Sequence, residues 1–191
     1  EIKQYEIKLN NKQKKIEEEG LKLIKRFKNQ SSEQSEGCVY DDENRILFIS
    51  EEGERGIIRA YEINDDLDFS KFTIIDDRNG YIDEDPEGLT IYKTSKKEGY
   101  LIASSQGDHS FNLYNRQYPY DYIGSFKIGH TIDIDNVSDT DGIDVTNVYL
   151  NDNYKKGLFV VQDGTNDGSK IVKRQNFKYV SFEDVIKVLN L

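Results

Sequence analysis

The chain has no methionine, one cysteine, two prolines and two histidines in 191 residues. A single cysteine excludes an internal disulfide. Its place in a strand-like run after a Glu-Gly pair predicts that Cys38 is a small buried hydrophobe rather than a reactive thiol. No apolar run is long enough to cross a membrane as a helix. Positive charge is short as well: 26 Lys and Arg face 36 Asp and Glu, for a net charge of −10. That excludes nucleic acid held on a basic face. It leaves room for cations, or for an anionic substrate held through bound cations. A Gly-x-Ser-x-Gly elbow, a Walker loop and a His-Glu-x-x-His helix are all missing, so any catalysis is expected to be metal-borne. His109 and His130 lie in polar, turn-like segments and read as ordinary surface residues. With Glu1 as its first residue and no Met, the chain is expected to be a mature form or a piece, in which a removed signal peptide is neither visible nor excluded.

What the chain does have is aromatic residues and a repeat. Thirteen Tyr and nine Phe argue against disorder, and the length suits one ordinary domain. Three times an acidic residue and a glycine open a strand, and a second strand ending in a polar triplet and a glycine follows. The first copy is Glu36-Gly37-Cys38-Val39-Tyr40 with Leu47-Phe48-Ile49-Ser50-Glu51-Glu52-Gly53. The second is Glu87-Gly88-Leu89-Thr90-Ile91 with Leu101-Ile102-Ala103-Ser104-Ser105-Gln106-Gly107. The third is Asp141-Gly142-Ile143-Asp144-Val145 with Leu158-Phe159-Val160-Val161-Gln162-Asp163-Gly164. The openings are 51 and 54 residues apart. A period near fifty with several short strands per copy predicts an all-β fold of propeller blades or a related repeat array. Three copies and a leading strand pair amount to about three and a half blades, too few to close a ring, so blades are missing or another chain supplies them.

Within the copies the expected strands are Ile46 to Ser50, Gly56 to Ile63 and Phe72 to Ile75, then Tyr100 to Ser104, Phe111 to Tyr114 and Tyr122 to Ile128. The last set is Ile143 to Leu150, Gly157 to Val161 and Phe177 to Val180. Asn10-Asn11 and Asp76 to Gly80 read as turns, and Pro86 fixes the entry to the second copy. Lys12 to Lys28 is ambiguous: its composition suits a helix, but Gly20 and the Leu21/Leu23 alternation favour a strand pair. Its charge run reads as a solvated face. A terminal helix is expected from Ser181 to Leu189, with Ser181 as N-cap and Glu183 and Asp184 in the first turn.

Aligning the copies puts Glu36, Glu87 and Asp141 at one position, and Glu52, Gln106 and Asp163 at another. Equivalent blade positions lie at equal radii, so the carboxylates are expected to converge around the axis. Two carboxylates about 5 Å apart repel by ~3 kcal/mol at an effective dielectric near 20. Such a cluster persists by protonation, by pairing with bases or by binding cations, and few Lys or Arg lie near these positions in sequence. All-oxygen donors suit Ca²⁺ rather than zinc or copper. The run Asp133 to Gly142 is rich in such donors without EF-hand spacing. Taken singly, Asp133 and Asp139 also fit the plain role of turn-capping residues.

Several runs resemble a known family. They are Glu36-Gly37 with Asp41-Asp42-Glu43, Pro86-Glu87-Gly88-Leu89-Thr90-Ile91-Tyr92, Tyr114-Asn115-Arg116-Gln117, Ser138-Asp139-Thr140-Asp141-Gly142-Ile143-Asp144-Val145, Val161-Gln162-Asp163-Gly164 and Gln175-Asn176-Phe177-Lys178. In order and spacing these resemble the β-propeller, or alkaline, phytases. The resemblance implies a six-bladed propeller that binds several Ca²⁺ ions and hydrolyses phytate, with some ions holding the fold and others binding phosphate and activating water. It implies active-site calcium carboxylates at Glu36, Glu52, Glu87 and Asp141, with Asp135 as a further calcium ligand; Asp163 joins them from the repeat. It also implies a secreted bacterial protein. The match covers about the C-terminal half of a family member, so residues 1–191 are expected to be a partial propeller domain that lacks its N-terminal blades. Most of the family's phosphate-gripping Lys, Arg and Tyr residues belong to those blades. A calcium-binding or interaction propeller without turnover, and a propeller lactonase, are the other readings.

Overall fold

The computed structural model describes residues 2–10, 15–27, 33–53, 56–65, 69–166 and 175–191. Among them the chain forms β-strands throughout, closed by one helix. β1 (Ile2–Asn10) and β2 (Lys15–Phe27) make an antiparallel hairpin, so the ambiguous stretch is strand wherever it is described. Alternation decides it: Leu23, Lys25 and Phe27 are half-buried while Lys22, Ile24 and Arg26 are exposed. The side chains of Glu17 to Glu19 and the turn at Asn11 lie outside the described residues.

Three sheets follow, each a meander in which consecutive strands are neighbours. The first holds β3 (Ser35–Asp41), β4 (Ile46–Glu51), β5 (Ile57–Glu62) and β6 (Phe72–Asp76). The second holds β7 (Pro86–Lys93), β8 (Gly99–Ser105), β9 (Ser110–Asn115) and β10 (Tyr122–Phe126). The third holds β11 (Ile143–Thr146), β12 (Leu158–Asp163) and β13 (Asn176–Ser181). These are the expected propeller blades, and the chain is a partial β-propeller. β11 is shorter than its hydrophobic run predicts, because Asn147 to Leu150 leave the sheet and Leu150 N–H turns back to the Tyr154 carbonyl. α1 (Phe182–Leu189) buries Phe182 and Val185, with Phe182 stacked 3.8 Å from Tyr92 of the second blade. Ser181 takes the N-cap position, but its side chain makes no capping bond.

The core lies between blades rather than within one sheet. Phe48, Ile58 and Ala60 of the first blade pack against Leu89, Leu101 and Ala103 of the second. Ile102, Phe111 and Leu113 on its other face pack against Phe159 and Val161 of the third. The repeated glycines make this approach close enough. A Cβ on Gly37 would overlap the Glu87 carbonyl oxygen, and one on Gly88 would sit 2.7 Å from the Asp141 carbonyl oxygen. Hydroxyls tie the same junctions: Ser50 Oγ donates to the Glu87 carbonyl and Ser104 Oγ to the Thr140 carbonyl, at 2.5 and 2.9 Å. At the other end of the inner strands, the fully buried Arg116 donates to Asp41 at 2.6 Å and Glu43 at 2.7 Å, joining the first two blades again.

Cys38 is exposed, not buried as its strand context predicts. In β3 the odd positions Gly37, Val39 and Asp41 turn toward the second blade. Past the irregularity between Ser35 and Cys38, the even positions Cys38 and Tyr40 turn the other way, toward a cavity of about 490 Å³ also lined by Ile2 and Phe27 of the hairpin.

Candidate functional site

Each blade's inner strand begins at the same end of the stack, and each begins with a carboxylate. Glu36 is the second residue of β3, Glu87 the second residue of β7, and Asp141 lies just before β11. The interblade packing holds them in step: Gly37 seats the Glu87 backbone, and Gly88 N–H donates to the Asp141 carbonyl at 2.8 Å. Glu52, in the bend after β4, joins the group because its N–H bonds the Gln34 carbonyl at 2.9 Å. Gln106, the equivalent of Glu52 in the second blade, donates through its side chain to Asp141 at 2.7 Å.

The electrostatics record the crowding. Glu87 is 7% exposed. Burial, then repulsion from Glu36, Asp141, Glu52 and Asp85, pushes its carboxyl up to about 7. Glu52 is also raised, first by burial and then by Asp85 and Glu36, with Arg78 acting against them. Arg78 itself donates to Asp85 at 3.0 Å. Asp85 is a member that sequence reasoning missed. The signal was weak but present: Asp85 and Asp139 stand two residues before Glu87 and Asp141, and both hold a left-handed backbone, with φ of 47°.

Glu36, Glu52, Glu87 and Asp141 therefore come together. Asp135 and Asp163 do not join them. Both accept from Lys178 Nζ, at 2.6 and 2.7 Å, and Asp163 is wholly buried. Burial opposes the Lys178 charge, but the bonds to Asp135 and Asp163 prevail and raise its pKa. His109 accepts the Asp139 N–H at 3.2 Å and His130 is exposed, both at the surface as expected.

A second acidic cluster lies elsewhere. Single oxygens of Asp41, Asp42 and Glu43 fall within 4.8 Å of one another. It stands at the far end of β3 from Glu36, roughly 17 Å away at ~3.3 Å per residue. Its charge is already answered by cations of the protein. Lys93 donates to Glu43 at 2.6 Å and holds that carboxyl down at about 2, and Arg116 is bonded to Asp41 and Glu43. By contrast, no lysine or arginine is among the groups that act on Glu87: burial, and after it the charges of Glu36, Asp141, Glu52 and Asp85, all push its carboxyl the same way, upward. Among the described residues, Asp41, Asp42 and Glu43 are the group whose single oxygens come within 4.8 Å of one another; the carboxylates around Glu87 are near enough to act on its charge and offer the oxygen donors that hard cations take.

A sequence model described as Phytase matches residues 1–190. A curated relative, the 3-phytase of Bacillus subtilis (strain 168), is 41% identical over 170 residues, which are 88% of this chain and 43% of the relative. The chain thus spans less than half of that relative's length. With the match running nearly end to end along a three-bladed stack whose acidic openings converge, the chain belongs to the phytase family.

Proposed function

We propose that this chain forms the calcium-holding part of a phosphomonoesterase that releases phosphate from phytate. The observation that carries this reading is the grouping of Glu36, Glu52, Asp141 and Asp85 around Glu87, whose carboxyl is lifted to about 7 by burial first and by the repulsion of those four next. Those residues would hold Ca²⁺. Bound there, calcium neutralises phosphate charge and lowers the pKa of a water molecule. The chain's own part is to keep the carboxylates in place: the Gly37 and Gly88 approaches set the spacing, Gln106 orients Asp141, and Arg78 restrains Asp85. Without cations the same surface repels a polyanion.

The family match favours this reading over a lactonase. The N-terminal blades expected from the resemblance, with most of the phosphate-binding side chains, belong to the same proposal, as does an extracellular setting. Phosphate release from phytate, with and without Ca²⁺, tests it on two proteins: the chain alone, and the chain joined to the N-terminal part of the Bacillus relative. Calcium-dependent release by the joined protein supports the reading. Calcium binding with no release would make the chain a binding propeller instead.

A further inference from the structure

Asp163 stands at the same repeat position as Glu52 and Gln106, yet its side chain points away from the acidic group and is fully buried. We propose that Lys178 and Asp163 together are positioning residues for the Asp141 corner of the site, acting through the segment Ser138–Gly142.

The linkage is continuous. Lys178 is held opposite Val161 by the β12–β13 register. Its ammonium has three acceptors, Asp135 Oδ1 at 2.6 Å, Asp163 Oδ2 at 2.7 Å and Asn176 Oδ1 at 3.1 Å, so all three N–H bonds are used and the group is fixed in direction. The other oxygen of Asp163 accepts the Ser138 N–H at 3.1 Å. From there the end of β12 clasps the segment residue by residue. Gly164 N–H donates to the Ser138 carbonyl at 2.8 Å, and Gln162 Oε1 accepts the Asp141 N–H at 2.8 Å. Gln162 N–H donates to the Gly142 carbonyl at 2.9 Å. A Cβ on Gly164 would sit 2.6 Å from the Asp139 carbonyl oxygen, so the contact leaves no slack. Asp141 is thereby presented to Gln106, which bonds its carboxylate from the neighbouring blade.

In the other two blades the residue at this position faces the site directly. In the third it has become the foot of a brace. Outer partners that orient ligating carboxylates commonly change metal affinity 10–100-fold when removed. The inference rests on the calcium reading above for its consequence, though not for the brace itself.

Two variants test it in the 191-residue chain. Lys178→Met removes the ammonium. Asp163→Asn keeps the shape, but its amide must turn a donor toward either Lys178 or the Ser138 N–H, so one bond is lost in either orientation. Amide hydrogen exchange in calcium-free buffer should quicken at Ser138 and Asp141 by tenfold or more in each folded variant, with the β8 and β9 amides unchanged. Calorimetric Ca²⁺ titration should show affinity reduced 10–100-fold. Exchange within twofold of wild type at Ser138 and Asp141, or quickened exchange with unchanged calcium affinity, would overturn the proposal. A wild-type chain that binds no Ca²⁺ would instead sink the functional reading, while the exchange data would still decide the brace.

Discussion

The junction between the first and second blades and the outward face of the third are built from the same sequence pattern, yet they are in opposite states. Gly37 has the Glu87 backbone pressed onto it, with Ser50 bridging the two strands. Gly142 occupies the equivalent position in the third blade, and among the described residues nothing lies within 4 Å of where its Cβ would be. Val161 replaces the bridging serine there, and Val148, Tyr149 and Leu150 beyond the short β11 are exposed. An acidic-glycine opening therefore carries no fixed structural meaning. Its glycine is a packing requirement only where another strand arrives, and its carboxylate is crowded only where neighbouring openings stand beside it.

The strongest way to break the contrast is at the far end of the first junction. Arg116→Met removes the cation between Asp41 and Glu43 and leaves the buried Asp41 carboxylate with Asn44 as a hydrogen-bond donor but without the Arg116 countercharge, which should cost about 3–5 kcal/mol. Chemical denaturation of the purified chain measures it. A loss below about 1 kcal/mol would mean that the two blades do not depend on this clamp.

Next comes Gly37→Ala. The added methyl meets backbone rather than a movable side chain, so the inner strands must separate, at about 1–3 kcal/mol. The same movement pulls Glu36 from Glu87, and calcium affinity should fall in parallel with stability.

A pH series sharpens the comparison at the site itself. Glu87 has a folded-state value of about 7 against an ordinary 4.5, so the folded chain holds this proton more tightly than the unfolded chain does. Calcium-free stability should be highest below pH 4.5 as far as Glu87 contributes. It should fall as pH rises from 4.5 to 7 and level off above that. Saturating calcium should restore the loss. Glu87→Gln should flatten that part of the profile and weaken calcium binding about tenfold or more, since ligand charge sets affinity in oxygen sites. Thermal melts across pH 4 to 8, with and without calcium, read both effects; an unchanged slope in Glu87→Gln would show that the crowding is not felt.

Gly142→Ala is the smallest effect and the control for the other glycine. With no described residue against it, the change should stay within about 0.5 kcal/mol in the 191-residue chain. A loss as large as that at Gly37 would show that the third face is covered in solution.

Much of this was legible from the order of residues alone. Alternation and turn chemistry depend on neighbours a few positions apart, so the strands of the copies and the register of Glu36, Glu87 and Asp141 could be read directly, while Lys15–Phe27, ambiguous in sequence, is settled as one long strand by its pairing with β1. A repeat carries equivalent residues to equivalent places, which is why the convergence of that trio needed no coordinates. Tertiary structure alone decided which partner each side chain meets. Arg116 and Asp41 are 75 positions apart, and Lys178 and Asp135 are 43 apart, distances at which no local pattern operates. The face of β3 that carries Cys38 is exposed because the blade packs through the opposite face. Asp163 and Glu52 share a repeat position and diverge because one has a lysine on the adjacent strand and the other has carboxylates around it. The sequence determines the periodic backbone and the radius at which its charges lie; the balance of those charges depends on contacts between blades, and that only the folded chain decides.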